Sequence, residues 1–264
     1  MPKIKINDIS MYYEIHGQGE PIIFVAGFSV DHTMWYEIIN KFSDKYQLIL
    51  FDNRGSGQTD VPHSLYSIDE MTKDVVDLCT ALEIKQAHFV GNSMGGFIVQ
   101  TLAFRYPQLI KSAVISNSAT SFQCCFQIYV DAQLEFIKAN TPLTALSKAI
   151  SSWIFSYHYL SQPGNLNFFI KISQENAYPF TIQGYKGQYA ALCKFDSTNW
   201  INKIDKPILV MSGEQDLIFS ATSTKSLANQ IPNAQYYCFP QCGHLPPIEY
   251  PQKFAELTMK FFSA

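Results

Sequence analysis

The stretch Ala87-His88-Phe89-Val90-Gly91-Asn92-Ser93-Met94-Gly95-Gly96 constrains the fold more than any other part of this chain. It opens as a short apolar strand and runs into a helical segment, 97–104, that is apolar nearly all round and ends before Pro107. One serine stands at the join. Gly91-x-Ser93-x-Gly95 in that setting is the nucleophile-elbow pattern, a sharp strand-to-helix turn that strains the serine backbone and lifts its hydroxyl clear of a sheet. The positions two before and two after it need glycine because the two backbones pass too close for a Cβ. A helix N-terminus there also points free N–H groups and a positive dipole end at charge developing near the hydroxyl. A bare G-x-S-x-G is a common Gly-Ser turn; the strand before and the helix after single this one out.

Around this turn the chain alternates. Residues 3–7 and 11–16 read as a hairpin of short strands. Residues 21–26 and 47–51 are continuous apolar runs, as in a parallel sheet buried on both faces, with a helix expected over 34–42. The turn Gly27-Phe28-Ser29 follows the first run, and the loop Asp52-Asn53-Arg54-Gly55-Ser56-Gly57 follows the second. Ser67-x-x-Glu70 is a capping box opening a helix with Ile68, Met71, Val75, Leu78 and Leu82 on one face. A further buried strand, 112–116, comes after the elbow helix. Strand–helix alternation of this kind predicts an α/β fold with a mostly parallel sheet covered on both sides.

From 119 to 196 the alternation stops. Helical periods run through Phe126, Val130, Leu134 and Ile137, and through Leu143, Leu146, Ile150 and Trp153. Aromatics are dense, among them Phe122, Phe155, Tyr157, Phe168 and Tyr178. The segment reads as a helical insertion whose aromatics chiefly form its own core, a few of them roofing an apolar pocket. The expected division is a core of 1–118 and 197–264 with a helical cap over 119–196. The sheet resumes at 207–211, followed by a helix over 223–230, a strand over 235–239, and a final helix from Pro251 with Phe254, Leu257 and Phe261 inward.

Composition narrows the function classes. The 264 residues carry 47% hydrophobic and 16% charged side chains, which suits a compact core rather than a disordered chain. A net charge of −3 gives no reason to expect nucleic acid as a partner. Arg54 and Arg105 are the only arginines, which weighs against a guanidinium cluster for phosphate, and Arg54 in its Asp-x-Arg-Gly loop reads as structural. The N-terminus lacks a signal-peptide pattern and no apolar run reaches membrane-spanning length, so a cytoplasmic protein is expected. Cys79, Cys124, Cys125, Cys193, Cys238 and Cys242 lack metal-ligand spacing and read as reduced, mainly buried thiols. The adjacent pair Cys124-Cys125 has poor geometry for a disulfide. Neither a metal nor an organic cofactor is called for.

A serine hydroxyl needs a general base, and the base needs a carboxylate to hold its tautomer. In a parallel sheet both come from loops at the carboxyl ends of strands. Two later loops offer them: Ser212-Gly213-Glu214-Gln215-Asp216 after one strand and Cys242-Gly243-His244 after the next. Glu214 is the rival acid. Asn117, ending the strand after the elbow helix, is not a carboxylate, so that alternative acid position is ruled out. His88 lies at the far end of the elbow strand, His63 sits in a loop beside Pro62, and His32 is close enough to line the pocket.

Taken together, these loops resemble the α/β-hydrolase superfamily, in particular its small bacterial branch of 3-oxoadipate enol-lactonases, pimeloyl-carrier-protein methyl esterases and carboxylesterases. The resemblance covers nearly all of the chain outside the insertion. It implies an eight-stranded, mostly parallel sheet flanked by helices, with Ser93 as nucleophile, His244 as base and then acid, and Asp216 as its orienter. The oxyanion hole would be the backbone N–H groups of Phe28 and Met94. Where the family usually shows His-Gly at the first turn, this chain has Ala26-Gly27, which keeps a backbone donor at Phe28 and drops the histidine beside it.

The expected reaction is hydrolysis of a small or medium acyl or aryl ester, a lactone or thioester included, through an acyl-enzyme. The expected partner is a small apolar substrate. An acyl carrier protein is not favoured, because Lys138, Lys148, Lys171, Lys186 and Lys194 in the insertion are balanced by Asp131, Glu135, Glu175 and Asp196. Carbon–carbon bond hydrolysis of ring-fission products ranks lower, since Leu245 stands where those enzymes usually carry an aromatic. A third reading is a non-turnover signalling receptor of the same fold, with which Asp31 and Trp35 after the Gly27 turn are compatible.

Overall fold

The computed structural model describes residues 3–122 and 125–264; the Cys124-Cys125 pairing lies partly outside them. Strands β1 (Lys3–Ile6) and β2 (Ile9–His16) form the hairpin, turning at Asn7 with φ 45°. The alternation follows: β3 (Glu20–Val25), α1 (Tyr36–Phe42), β4 (Tyr46–Phe51), α2 (Ile68–Ala81), β5 (Ala87–Asn92), α3 (Met94–Arg105) and β6 (Ile110–Ser116). Between β6 and the next strand lie α4 (Phe126–Lys138), α5 (Leu143–Ile154), α6 (Tyr157–Ser161), α7 (Asn165–Glu175) and α8 (Ile182–Lys194). The chain then completes the sheet with β7 (Ile208–Gly213), α9 (Ala221–Gln230) and β8 (Gln235–Phe239), and ends in α10 (Pro246–Glu249) and α11 (Pro251–Phe262).

The eight strands form one sheet in the order β1-β2-β4-β3-β5-β6-β7-β8. Strand β2 runs antiparallel to both its neighbours, and every pair from β4 to β8 is parallel. The apolar runs alternate across the sheet: Ile23, Val25 and Phe89 face the side covered by α2, α3 and α9. Ile22, Phe24 and Val90 face α1 and α11. From β3 the chain moves to β4 on one side and to β5 on the other, so the crevice at the carboxyl ends of β3 and β5 is a topological switch point.

Some local expectations need correcting. Ser67 Oγ accepts the Glu70 N–H at 3.1 Å, but the Glu70 carboxylate does not close the capping box. It accepts from Arg54 Nη1 at 2.6 Å instead. Arg54 is buried and also paired with Asp74 and Asp8, so it ties loops to α2 as expected of a structural arginine. The inward stripe of α11 runs Phe254, Thr258, Phe262 with Ala255 beside it, leaving Leu257 and Phe261 half-buried. Leu257 and Phe261 still pack against the core as expected, flanking a buried line that includes the polar Thr258, which an apolar pattern steps past.

The aromatics between β6 and β7 do not all go into a core: Phe155 packs on Tyr159 and Phe169, and Phe126 on Tyr129 and Trp153, as expected of an insertion with its own core, but three others face outward. Tyr157 is 82% exposed, Phe168 52% and Tyr178 50%, whereas Phe122 and Phe155 are buried. Nor are the cysteines mainly buried: of the described ones, Cys79 and Cys242 are, while Cys125 and Cys193 are exposed and Cys238 is half-buried. Among the described residues, no helix is long and apolar enough to cross a membrane.

Candidate active site

Ser93 sits between β5 and α3 with φ 56° and ψ −117°, a strained conformation for a residue with a Cβ. Backbone crowding explains the flanking glycines. A Cβ on Gly91 would strike the Gly95 carbonyl, and one on Gly95 would strike the Val25 carbonyl of β3. The turn is held by Ser93 N–H donating to the Ser116 carbonyl at 2.9 Å and by Ser118 Oγ donating to the Ser93 carbonyl at 3.1 Å. The Ser93 hydroxyl itself makes no hydrogen bond among the described residues. Met94 N–H opens α3 and, as a first-turn donor, has no carbonyl of its own helix to bond.

The turn after β3 faces this serine directly. A Cβ on Gly27 would lie 3.3 Å from Ser93 Cβ, so the first turn and the elbow are in contact. Asn53 Nδ2 donates to the Ala26 carbonyl at 3.0 Å and holds the turn from the β4 side.

Asp216 and His244 come from the loops after β7 and β8 and meet as the sequence predicts: His244 Nδ1 donates to Asp216 Oδ2 at 2.8 Å, both residues buried. Asp216 is saturated with donors. Its Oδ1 accepts from the Ile218 N–H at 2.8 Å and the Phe219 N–H at 3.1 Å, and its Oδ2 also accepts from Asn117 Nδ2 at 2.8 Å. The rival Glu214 is exposed and caps the Gln241 N–H at 2.9 Å, away from the His244 ring's partners. The His244 backbone is anchored too: its N–H donates to the Ile154 carbonyl at 2.8 Å, and Asn92 Nδ2 reaches its carbonyl at 3.4 Å.

Aromatic rings surround these groups. Phe219 lies 6.0 Å from the His244 ring, centroid to centroid, and Phe122 lies 6.0 Å from Phe219. Phe28 packs on Tyr185 at 4.6 Å and faces Tyr189 at 6.4 Å, both on α8.

The other histidines are accounted for elsewhere. His32 does not line the site as a free ring: Nδ1 donates to Asp52 at 2.7 Å, and Nε2 lies 3.0 Å from the Tyr36 hydroxyl and 3.3 Å from Glu14. Burial disfavours its charged form, but the Asp52 and Glu14 carboxylates outweigh this and raise its pKa above the ordinary value. His88 is buried at the opposite end of β5, bonded to Ser112 Oγ and stacked on Phe262, and His63 is exposed. Asp31, His32 and Asp52 bring ligand-type atoms within 4.8 Å of one another. Those atoms are already committed inside the protein, Asp31 to Thr33 and to Asn176 of the segment after α7. The cluster is a strut behind the first turn.

Sequence reasoning missed three residues that build the site. Asn117, itself no acid, donates its Nδ2 to Asp216 Oδ2. Glu249 accepts the Gly243 N–H at 2.9 Å and Ser156 Oγ at 2.5 Å, joining the His244 loop to the α5–α6 turn. Gln188 of α8, fully buried, bonds the first turn through Ser29. The one available hint was the pair Gly184 and Gly187 in a helix, a sign of close packing.

A family model described as alpha/beta hydrolase fold matches residues 20–251. Among similar proteins, 3-oxoadipate enol-lactonase 2 of Acinetobacter baylyi is 29% identical over 97% of this chain and 95% of its own. Pyrrolizixenacetamide deacetylase of Xenorhabdus hominickii is 27% identical over 99% and 97%. The crystal structure of the enol-lactonase from Burkholderia xenovorans matches with a TM-score of 0.88 at 26% identity, covering 100% of both chains. The match therefore runs from the first residue of β3 to the first of α11, and the chain belongs to the α/β-hydrolase fold family.

Proposed function

We propose that this hydrolase cleaves neutral carboxylic esters through an acyl-enzyme on Ser93. His244 takes the Ser93 proton as the hydroxyl attacks the acyl carbonyl, returns it to the departing alcohol, and then activates a water to release the acid. Asp216 holds the imidazole in the tautomer with its proton on Nδ1, leaving Nε2 free to act as base. The oxyanion of each tetrahedral intermediate is received by the backbone N–H groups of Phe28 and Met94, and the α4–α8 segment caps the site.

The reading is carried by two features together, a positive-φ serine at the β5–α3 turn and a buried Asp216–His244 hydrogen bond whose histidine loop meets the elbow strand through Asn92 Nδ2 and the His244 carbonyl. Relatives named as an enol-lactonase and a deacetylase support acyl transfer as the reaction class. Neutral substrates are favoured by the fate of the arginines: Arg54 is bound to Asp74, Glu70 and Asp8, and Arg105 to Asp69 on the surface. Neither is available to meet a carboxylate on the acyl group.

The test is steady-state hydrolysis of p-nitrophenyl esters from acetate to octanoate, with Ser93→Ala alongside. Sustained turnover that vanishes in Ser93→Ala, with an unchanged far-UV spectrum, is the expected result. A single burst that stalls supports the receptor reading, and activity surviving in Ser93→Ala removes the serine from its role.

A further inference from the structure

The backbone N–H of Phe28 belongs to the peptide joining it to Gly27, and a glycine on one side gives that peptide freedom to rotate. The two peptides flanking it are each pinned by an amide side chain from a distant part of the chain. On one side Asn53 Nδ2 donates to the Ala26 carbonyl at 3.0 Å. On the other, Gln188 Oε1 accepts the Ser29 N–H at 2.8 Å. Ser29 has φ 61°, a left-handed conformation that a residue with a Cβ adopts only when its surroundings hold it there.

Gln188 is itself fixed at its other end. Its Nε2 donates to the Arg54 carbonyl at 2.9 Å and to Ser56 Oγ at 2.8 Å, so both ends of the amide are used, and the side chain is fully buried. Its helix cannot drift either. Gly184 abuts the Gly55 backbone so closely that a Cβ would strike the Gly55 carbonyl, and a Cβ on Gly187 would lie 2.5 Å from Tyr66 Cζ. Helix α8 is thus seated on the loop after β4, and it reaches the turn after β3 by the Gln188 hydrogen bond to Ser29, beside the ring contacts of Tyr185 and Tyr189 with Phe28.

We infer that Gln188 is a positioning residue for the oxyanion site: by holding Ser29 N–H from the insertion side, with Asn53 opposite, it fixes the direction of the Phe28 N–H. This rests on the reading of Phe28 as an oxyanion donor. A preorganised donor is effective because it needs no reorientation as charge develops on the substrate oxygen. Fully buried, with both ends of its amide bonded to protein, Gln188 acts through Ser29. It contributes to the transition state and not to ground-state binding, which sets it apart from a residue that merely supports the fold.

The test uses the full chain with Gln188→Met, which keeps length and removes both hydrogen-bonding ends, and Gln188→Asn, which stays polar but shortens the reach. Hydrolysis of p-nitrophenyl butyrate is normalised to active sites titrated with a fluorophosphonate, and Ki is measured for an alkyl trifluoromethyl ketone, whose serine adduct carries an oxyanion. Both variants should lose about 10- to 100-fold in kcat with KM within about twofold, and ketone affinity should weaken in step with kcat/KM. If Gln188→Met does not fold, Gln188→Asn carries the same expectation. Wild-type kcat and ketone affinity in a folded variant, while Ser93→Ala is inactive, overturn the inference alone. Hydrolysis that persists in Ser93→Ala, or a wild type that cleaves no ester, overturns the reading of the site and the inference with it.

Discussion

Asn117 Nδ2 and His244 Nδ1 share one oxygen of Asp216, each at 2.8 Å. Asn117 also donates to the Gly243 carbonyl at 3.2 Å, so one amide steadies both the carboxylate and the loop that carries the imidazole. The Asn117→Asp variant tests this. Two carboxylates at that distance cannot both ionise without penalty, and they hold one proton with a raised pKa. While the proton is present, the new acid donates to Asp216 much as the amide does. Once it is lost, the pair repels and the turn loosens. The ratio of variant to wild-type kcat/KM should therefore fall as pH rises from 5 to 9; a ratio flat across that range would show that the amide is not what supports Asp216.

Asp216 and Glu214 separate cleanly as candidates for the acid. Removing the carboxylate that sets the histidine tautomer lowers turnover by about 10⁴-fold in related chemistry, so Asp216→Asn should do the same here. Glu214→Gln, at an exposed residue whose partner is the Gln241 N–H, should stay within about twofold of wild type. Steady-state kinetics on one ester decides between them, and the reverse ranking would exchange their roles.

The parts of the fold that the sequence reveals are those set by repeating local rules. Apolar strand runs, the elbow glycines and the loops carrying Asp216 and His244 each obey a short-range constraint, and all lie where the periodicity puts them. The missed contacts are long-range and polar. Gln188 meets Ser29 across 159 positions and Glu249 meets Ser156 across 93, and an amide or carboxylate on a helix gives no sign in sequence of the partner it will find. The exposed aromatics of 119–196 escape the sequence for a related reason. Composition reports how much apolar surface there is and not whether an insertion of small helices is thick enough to bury it, and Tyr157 and Phe168 stay exposed.

Gly95 joins stability to the site. A methyl group there would press on the Val25 and Ala26 carbonyls, the latter 2.9 Å from the added carbon, just ahead of the turn that carries Phe28. Overpacking of this kind costs about 1–3 kcal/mol. Gly95→Ala should accordingly lower Tm by several degrees and reduce kcat at temperatures where the protein is still folded. A Tm within one degree of wild type, about the noise of the method, would show that the β3–α3 contact can relax.

Glu249 gives a pH dependence whose sign is fixed by competing effects. Burial raises its pKa and the nearby Asp216 charge adds to this, while hydrogen bonds from Ser156 and the Gly243 N–H lower it; the net shift is upward. A carboxyl whose folded pKa exceeds its unfolded value binds its proton more tightly in the native state, so the stability it contributes is complete below the unfolded pKa of about 4.3 and is lost as pH rises through the folded pKa. Glu249→Gln removes the titration and keeps the shape and one acceptor oxygen. The stability of Glu249→Gln relative to wild type should therefore grow as pH rises from 4, then level off once wild-type Glu249 is fully ionised. Thermal or urea unfolding of both proteins between pH 4 and 8 measures it. A difference that shrinks over the same range would mean that the Ser156 and Gly243 donors outweigh burial, making the ionised carboxylate the form the native state prefers.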